Sequence, residues 1–133
     1  MGYEVINLYV INELKKILGK KKLKMLDVGG GRGYGEIFSS RDDIDYYALD
    51  LNEKKNEDNI TFIKGDITSN KLNFNTKFDI IFTKDTYEHI LNPWDSTNNI
   101  LNNLVDGGMF IFMAPFSWRY HASPYDTYRY SHT

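Results

Sequence analysis

The fold of this chain is decided by the stretch Lys24-Met25-Leu26-Asp27-Val28-Gly29-Gly30-Gly31-Arg32-Gly33-Tyr34-Gly35. Its first part belongs to a short apolar run that starts at Leu23 and suits a buried strand, and its second part is a turn rich in glycine. Residues 36–40 then have room for only a short helix. In an open parallel sheet, ligands bind at the carboxyl ends of the strands, and glycine lets a ligand approach the backbone without meeting a Cβ. The sequence therefore predicts a ligand site at this turn.

Four further runs of apolar and aromatic residues predict the rest of a sheet. They cover residues 45–49, 60–63, 78–83 and 109–114. Strands that are continuous apolar runs, separated by helical or loop segments, are typical of a parallel sheet with both faces covered. The sequence therefore predicts an α/β doubly wound fold with about five mostly parallel strands and helices on both faces.

Two longer helices are predicted around this sheet. The first runs from Tyr3 to Leu18, and its apolar residues at helical spacing are Val5, Ile6, Tyr9, Leu14, Ile17 and Leu18. The second begins at Pro93 after the capping residue Asn92 and continues to the stop at Gly107-Gly108. The residues expected on its buried face are Trp94, Ile100, Leu101, Leu104 and Val105.

Length and composition limit the classes of protein to which the chain can belong. Its 133 residues fit a single domain, which we divide into an N-terminal helical part (1–22), a core (23–114) and an aromatic and basic tail (115–133). The absence of cysteine excludes disulfides, cysteine nucleophiles and thiolate metal sites, and it favours a reducing, cytoplasmic setting. No apolar run is long enough for a membrane span. The net charge of −2 offers no basic field for nucleic acid.

The spacing of the glycines narrows the ligand class. A phosphate-binding loop would need Gly-Lys followed by Ser or Thr, which the sequence lacks. The dinucleotide pattern GxGxxG also fails, because its last glycine would fall on Tyr34 or Glu36. What remains is the pattern acidic-x-Gly-x-Gly-x-Gly, carried by Asp27, Gly29, Gly31 and Gly33. An acidic residue at the strand end, Asp27, is what a phosphate site would avoid.

This pattern resembles the first motif of class I S-adenosylmethionine-dependent methyltransferases, and further motifs make the resemblance run from about Leu23 to Ala114. It implies a Rossmann-like methyltransferase core with S-adenosylmethionine as cofactor and S-adenosylhomocysteine as product, in which the glycine turn wraps the methionine part. By the same resemblance, Asp50 would accept the ribose hydroxyls and Asp66 the adenine amino group. The apolar neighbours implied at the adenine are Leu51 and Ile67, and the backbone around Thr83 and Lys84 would face the methionine ammonium.

The candidates for catalysis are two histidines. Thr83 to Ile90 resembles the family segment that commonly reads Leu-Glu-His followed by an apolar residue, so His89 would help to floor the active site; a packing histidine is the alternative. In the tail, the pattern His-x-x-Pro-x-Asp-x-x-Arg-Tyr makes His121 a candidate general base, whereas Asp126 and Arg129 could pair at i,i+3 in a structural turn. No metal site is predicted.

The resemblance implies an enzyme of the EC 2.1.1 type that methylates a small molecule or a glycan. Nucleic acid is disfavoured as the acceptor, because no Asn-Pro-Pro-Tyr type motif follows the fourth strand. Class I methyltransferases usually add two more strands after the fifth, and these do not fit in 133 residues. The alternative is therefore a non-catalytic or partner-dependent methyltransferase-like domain, or an N-terminal fragment. We expect the fifth strand to lie at a sheet edge that the tail covers or that a second copy pairs with.

Overall fold

The computed structural model describes residues 8–30, 35–52, 54–57, 59–116, 119–120, 122 and 124–131. Its elements, in chain order, are α1 (Leu8–Leu18), β1 (Leu23–Val28), α2 (Gly35–Ser39), β2 (Ile44–Asp50), β3 (Ile60–Lys64), β4 (Phe78–Lys84), a 3-10 turn (Tyr87–His89), α3 (Pro93–Asn102) and β5 (Leu104–Met113). We refer to the 3-10 turn as the 87–89 turn. Among the described residues, no helix has the length and apolar character needed to cross a membrane.

The five strands form one parallel sheet in the order β3-β2-β1-β4-β5. Strands β2 and β3 lie on one side of β1, and the chain then crosses to the other side of β1, where β4 and β5 lie. The strand order therefore reverses at β1, whose last residue, Val28, lies beside Leu49 of β2 and Thr83 of β4. Ligands bind at such a switch point in sheets of this kind, and the glycine turn begins there. The predicted α/β doubly wound fold is confirmed.

Side chains alternate between two cores on opposite faces of the sheet. On one face, Met25 of β1 packs with Ile11 and Leu14 of α1 and with Phe38 of α2. On the other face, the neighbouring Leu26 packs in a core that contains Ile81 of β4 and Ile100 of α3. Full burial of an aliphatic side chain of this size contributes about 1.5–3 kcal/mol. These two cores hold the strand ends, and therefore the loops that follow them, in fixed positions.

Helix α3 ends at Asn102, five residues before the predicted stop at Gly107. Leu104 pairs with Phe78 and starts β5, and the backbone N–H of Phe78 donates to the Asn103 carbonyl. Leu104 and Val105 therefore belong to the strand, and the prediction that they lie on the buried face of the helix is wrong. The predicted apolar face of this helix is also wrong in part, because Ile100 is buried whereas Trp94 and Leu101 are 70% and 55% exposed.

The buried face of α1 differs from the prediction as well. Ile11 and Leu14 are buried, whereas Tyr9 and Ile17, which were expected on the apolar face, are exposed. Val5 and Ile6 lie outside the described residues. The helix is tied to the sheet just after its end, where Lys20 Nζ donates to the buried Asp79 carboxylate at 2.6 Å.

Strand β5 is the last strand of the sheet in the part of the chain that is described. The tail covers part of its α3-side face, since the ring of Tyr130 packs edge-on against Phe112 with the ring centres 5.1 Å apart. Tyr87 joins the same aromatic group, with its ring 5.0 Å from that of Phe112. Phe112 nevertheless remains 39% exposed. The tail thus protects one face of this edge strand and leaves part of it open to solvent.

Candidate functional site

A cleft of about 210 Å³ lies at the carboxyl ends of the first four strands. Each strand contributes a short segment to its wall: Val28 and Gly29 at the end of β1, residues 49–52 at the end of β2, residues 65–67 after β3, and Thr86, His89 and Ile90 after β4. The cleft thus brings together six of the residues that the sequence predicts for function, namely Gly29, Asp50, Leu51, Asp66, Ile67 and His89. Asp27 and Lys84 do not line it.

Gly29 begins the glycine turn in a conformation that requires glycine. Its φ is +76°, and its N–H donates to the Leu49 carbonyl at 2.8 Å. A Cβ at this position would lie 2.8 Å from Cγ2 of Thr86 and closer still to its Oγ1. The turn is therefore packed directly against the segment that follows β4. Gly31 and Gly33, the other glycines of the predicted motif, lie outside the described residues.

Asp27 is buried beneath this turn. Its carboxylate accepts a hydrogen bond from the Tyr46 hydroxyl, and a Cβ on Gly30 would lie 2.9 Å from its Cγ. Burial raises the pKa of Asp27 to about 6, although the Tyr46 hydrogen bond and the charge of Lys54 act in the opposite direction. The structure thus places Asp27 under the floor of the turn and not on the wall of the cleft.

Asp50 stands at the end of β2 and lines the cleft. Its carboxylate accepts hydrogen bonds from the Asn52 backbone N–H at 2.9 Å and from Lys54 Nζ at 2.7 Å. Burial raises its pKa, but these hydrogen bonds outweigh burial and hold the pKa below its ordinary value. Asp50 is therefore an ionised acceptor at the cleft. Beside it, Leu51 is 68% exposed and presents an apolar side chain there.

Asp66 and Ile67 occupy the corresponding position after β3. The Asp66 carboxylate accepts from both the backbone N–H and the hydroxyl of Thr68, at 2.8 and 2.7 Å. Ile67 is buried, and its carbonyl accepts from the side-chain amide of Asn99 at 2.6 Å. Helix α3 and the local turn therefore hold this wall of the cleft in place.

Lys84, the last residue of β4, does not reach the cleft. Its side chain forms an ion pair with Asp85, and its carbonyl accepts a hydrogen bond from the Thr86 hydroxyl at 3.1 Å. Asp85 has a φ of +50°, and its N–H donates to the Met113 carbonyl at the end of β5. The chain turns sharply here, and Thr86 is the residue of this segment that faces the glycine turn.

His89 lies on the 87–89 turn and lines the cleft. Its Nδ1 is 3.1 Å from the Tyr125 carbonyl oxygen and 3.4 Å from Oδ1 of Asp126. Its Nε2 is 3.6 Å from Oε1 of Glu88, a carboxyl group that is buried and whose pKa is raised by that burial. The histidine ring is thus held between two buried acidic side chains.

The tail supplies one of those acids and is hydrogen-bonded to the 87–89 turn. The backbone N–H groups of Thr127 and Tyr128 both donate to the Glu88 carbonyl, at 2.6 and 3.1 Å. Arg129 pairs with Asp126 at 2.5 Å, so the predicted i,i+3 pair is confirmed. The contact from Asp126 across to His89 was missed, because no local pattern signals a contact between segments so far apart in sequence. His121 lies outside the described residues.

Comparison with known proteins points to one family. The model of the family described as a methyltransferase domain, Methyltransf_23, matches residues 5–133. No protein of curated function matches the chain by sequence.

Solved structures of methyltransferases share the fold. The plantazolicin methyltransferase BpumL, in complex with a pentazolic desmethylPZN analog and SAH, superposes with a TM-score of 0.60 at 22% identity, over 76% of this chain and 42% of that one. An S-adenosylmethionine-dependent methyltransferase from Clostridium acetobutylicum gives 0.55 at 22% identity, over 77% and 46%. The glycopeptide N-methyltransferase MtfA gives 0.55 at 16% identity, over 77% and 51%. The chain thus spans about half the length of these proteins, and at these identities the similarity is one of fold.

Proposed function

This chain belongs to the methyltransferase domain family, and on that premise we propose that it binds S-adenosylmethionine in the cleft and transfers the methyl group to a small-molecule or glycan acceptor. Asp50 would accept the two ribose hydroxyls, with Leu51 against the adenine. Asp66 would accept the adenine amino group beside Ile67. The glycine turn at Gly29, Gly31 and Gly33 would wrap the methionine part of the cofactor. Asp27 and the backbone near Lys84 would stabilise the positively charged ammonium of that part.

The observation that carries this proposal is the composition of the cleft wall. Two carboxylates, Asp50 and Asp66, stand at the ends of neighbouring strands, and each is followed by an apolar residue. None of the described residues that line the cleft is lysine or arginine. Such a wall offers acceptors for hydroxyl and amino groups and apolar contact for a base, and the neighbouring cation of Lys54 is paired with Asp50. It therefore suits a cofactor that carries positive charge.

Methyl transfer from a sulfonium is an in-line displacement, in which alignment of nucleophile, methyl carbon and leaving sulfur supplies most of the rate advantage. A general base is required only where the acceptor must lose a proton. His89, at the cleft, and His121, in the tail, are the residues proposed for that role. The acceptor class is supported by structural neighbours that are named as methyltransferases of plantazolicin and of a glycopeptide.

A second candidate is a methyltransferase-like domain that acts only with a partner. The exposed part of Phe112 on the edge strand β5 favours it, because soluble proteins normally cover or pair such an edge. One structural neighbour is a putative methyltransferase in complex with the Haloferax volcanii Trm112 methyltransferase activator. For this chain the partner could equally be a second copy, paired through β5 or through the tail. Sedimentation of the isolated chain as a monomer that transfers methyl groups would exclude this candidate.

Chemical-shift mapping tests the proposal. S-adenosylhomocysteine titrated into ¹⁵N-labelled protein should perturb the backbone amides of Gly29, Leu51 and Ile67, which belong to three different strand ends. The amide of Asp106, which is exposed on β5, is the internal control and should not move. A well-dispersed spectrum in which none of the cleft amides responds would reject the proposal.

A further inference from the structure

We propose that Asp126 is a positioning residue for His89, holding the imidazole with its proton on Nδ1 so that Nε2 is the atom that accepts a proton from the methyl acceptor. The role of the histidine in methyl transfer rests on the function proposed above. The protonation state of the imidazole ring does not rest on that function, and it can be measured without any methyl acceptor.

The chemistry of the groups around Nδ1 carries the inference. The Tyr125 carbonyl oxygen, 3.1 Å away, can only accept a hydrogen bond, and so can the ion-paired carboxylate of Asp126, 3.4 Å away. Nδ1 must therefore be the donor. In a neutral imidazole one nitrogen donates and the other accepts, so a proton on Nδ1 leaves the lone pair on Nε2.

Asp126 is held in place by more contacts than an exposed loop residue would have. It is 3% exposed, and its Oδ2 accepts from Arg129, whose guanidinium also donates to the Arg119 carbonyl at 3.2 Å. The next two residues of the tail donate their N–H groups to the Glu88 carbonyl. Since Glu88 directly precedes His89, these bonds fix the tail in register with the histidine. A carboxylate held in this way keeps its negative charge at a fixed position beside Nδ1.

Among the described residues, Glu88 is a second acidic group close to the ring. Its Oε1 is 3.6 Å from Nε2, which is too long for a hydrogen bond. Burial raises the pKa of Glu88, and the negative charges of Asp85 and Asp126 act in the same direction. Of the two described acidic groups at the ring, Asp126 lies closer to the imidazole and is ion-paired with Arg129.

The arrangement implies an acceptor that loses a proton on methylation. A hydroxyl is the acceptor group that most needs a general base for this step. As the hydroxyl oxygen bonds to the methyl carbon, its O–H bond breaks and the proton moves to Nε2. The bond between the methyl carbon and the sulfonium sulfur breaks at the same time, and its electron pair stays on sulfur. The products are a methyl ether, S-adenosylhomocysteine and an imidazolium whose charge faces Asp126.

Nitrogen-15 NMR of histidine-labelled protein tests the inference at about pH 8, above the usual titration range of histidine. The His89 signals are assigned by their loss in His89→Asn. We expect the wild-type ring to be neutral and protonated on Nδ1. In Asp126→Asn, an isosteric change that removes the charge, the ratio of Nδ1–H to Nε2–H forms should fall by about tenfold, because the negative charge that faces Nδ1 at 3.4 Å is lost. The exposed Asp106→Asn is the matched control and should leave the ratio unchanged.

Two outcomes would overturn the inference. One is a wild-type ring that carries its proton on Nε2, or protons on both nitrogens, at this pH; this state is read on the wild-type protein itself, once its His89 signals are assigned. The other is a folded Asp126→Asn protein with the wild-type ratio, since the Tyr125 carbonyl alone would then suffice. S-adenosylhomocysteine binding, measured on the same samples, should persist in Asp126→Asn because Asp126 does not line the cleft. If the wild-type protein does not bind S-adenosylhomocysteine, that result counts against the proposed function and not against the role of Asp126.

Discussion

The Tyr46 hydroxyl donates a hydrogen bond to the Asp27 carboxylate directly beneath the glycine turn. Tyr46 lies on β2 opposite Met25, and Asp27 lies on β1 opposite Ala48, so the bond links adjacent strands on one face of the sheet. A Cβ on Gly30 would meet both the Asp27 carboxylate and Ala48. The turn therefore rests on a buried acid, and two consequences for stability follow from that position and from the close packing above it.

The first is a dependence of stability on pH. The pKa of Asp27 is raised to about 6 in the folded protein from 3.8, so the folded state binds the proton more tightly. The group's contribution to stability is therefore complete below about pH 4 and is lost as the pH rises through about 6. Urea unfolding of the wild type and of Asp27→Asn should show the wild type losing about 3 kcal/mol relative to the variant over this range. A difference that does not change with pH would contradict the buried position of Asp27.

The second concerns the contact between Gly29 and Thr86. Gly29→Ala should lower the free energy of unfolding by about 2–4 kcal/mol, because it combines a clash with a positive φ. Thr86→Ala removes the two atoms nearest to the new methyl group but leaves the φ unchanged. The double variant should therefore recover part of the loss, giving a non-additive cycle in chemical denaturation. Strict additivity of the two changes would show that the two segments are not packed together.

Asp79 fastens α1 to the sheet. Its buried carboxylate accepts from Lys20 Nζ at 2.6 Å and from the Lys24 N–H at 2.8 Å. Asp79→Ala leaves that N–H without its acceptor and should lower the free energy of unfolding by about 2–3 kcal/mol, whereas Asp106→Ala, at an exposed position, should stay within about 0.5 kcal/mol. Equal unfolding midpoints in urea for these two variants would contradict the structural role of Asp79.

The sequence was sufficient for those parts of the molecule that depend on local pattern. The five strands and the glycine turn were located because buried parallel strands are continuous apolar runs, and the pairing of Asp126 with Arg129 because the two residues are three positions apart. The two acids after β2 and β3 were singled out because each follows a predicted strand, and the fold then brings both to one cleft.

The parts that could not be read from the sequence depend on contacts between distant segments. The end of α3 at Asn102 is decided by the pairing of Leu104 with Phe78, which no helical pattern reveals. The position of Asp27 beneath the turn depends on Tyr46 in another strand. The contact of Asp126 with His89 likewise requires the tail to fold back on the 87–89 turn. Local periodicity carries no information about any of these three relationships.

The central claim is that the cleft binds S-adenosylmethionine through the acid that ends β2. Isothermal titration of S-adenosylhomocysteine into the wild type, Asp50→Ala and Asp45→Ala tests it most directly, since Asp45 lies at the other end of the same strand in an ion pair with Lys22. We predict a saturable isotherm for the wild type, a similar Kd for Asp45→Ala, and a Kd about 10- to 100-fold higher for Asp50→Ala, as the loss of a hydrogen-bonded charge implies. Absence of binding to the folded wild-type protein, or equal Kd values for the two variants, would contradict the account.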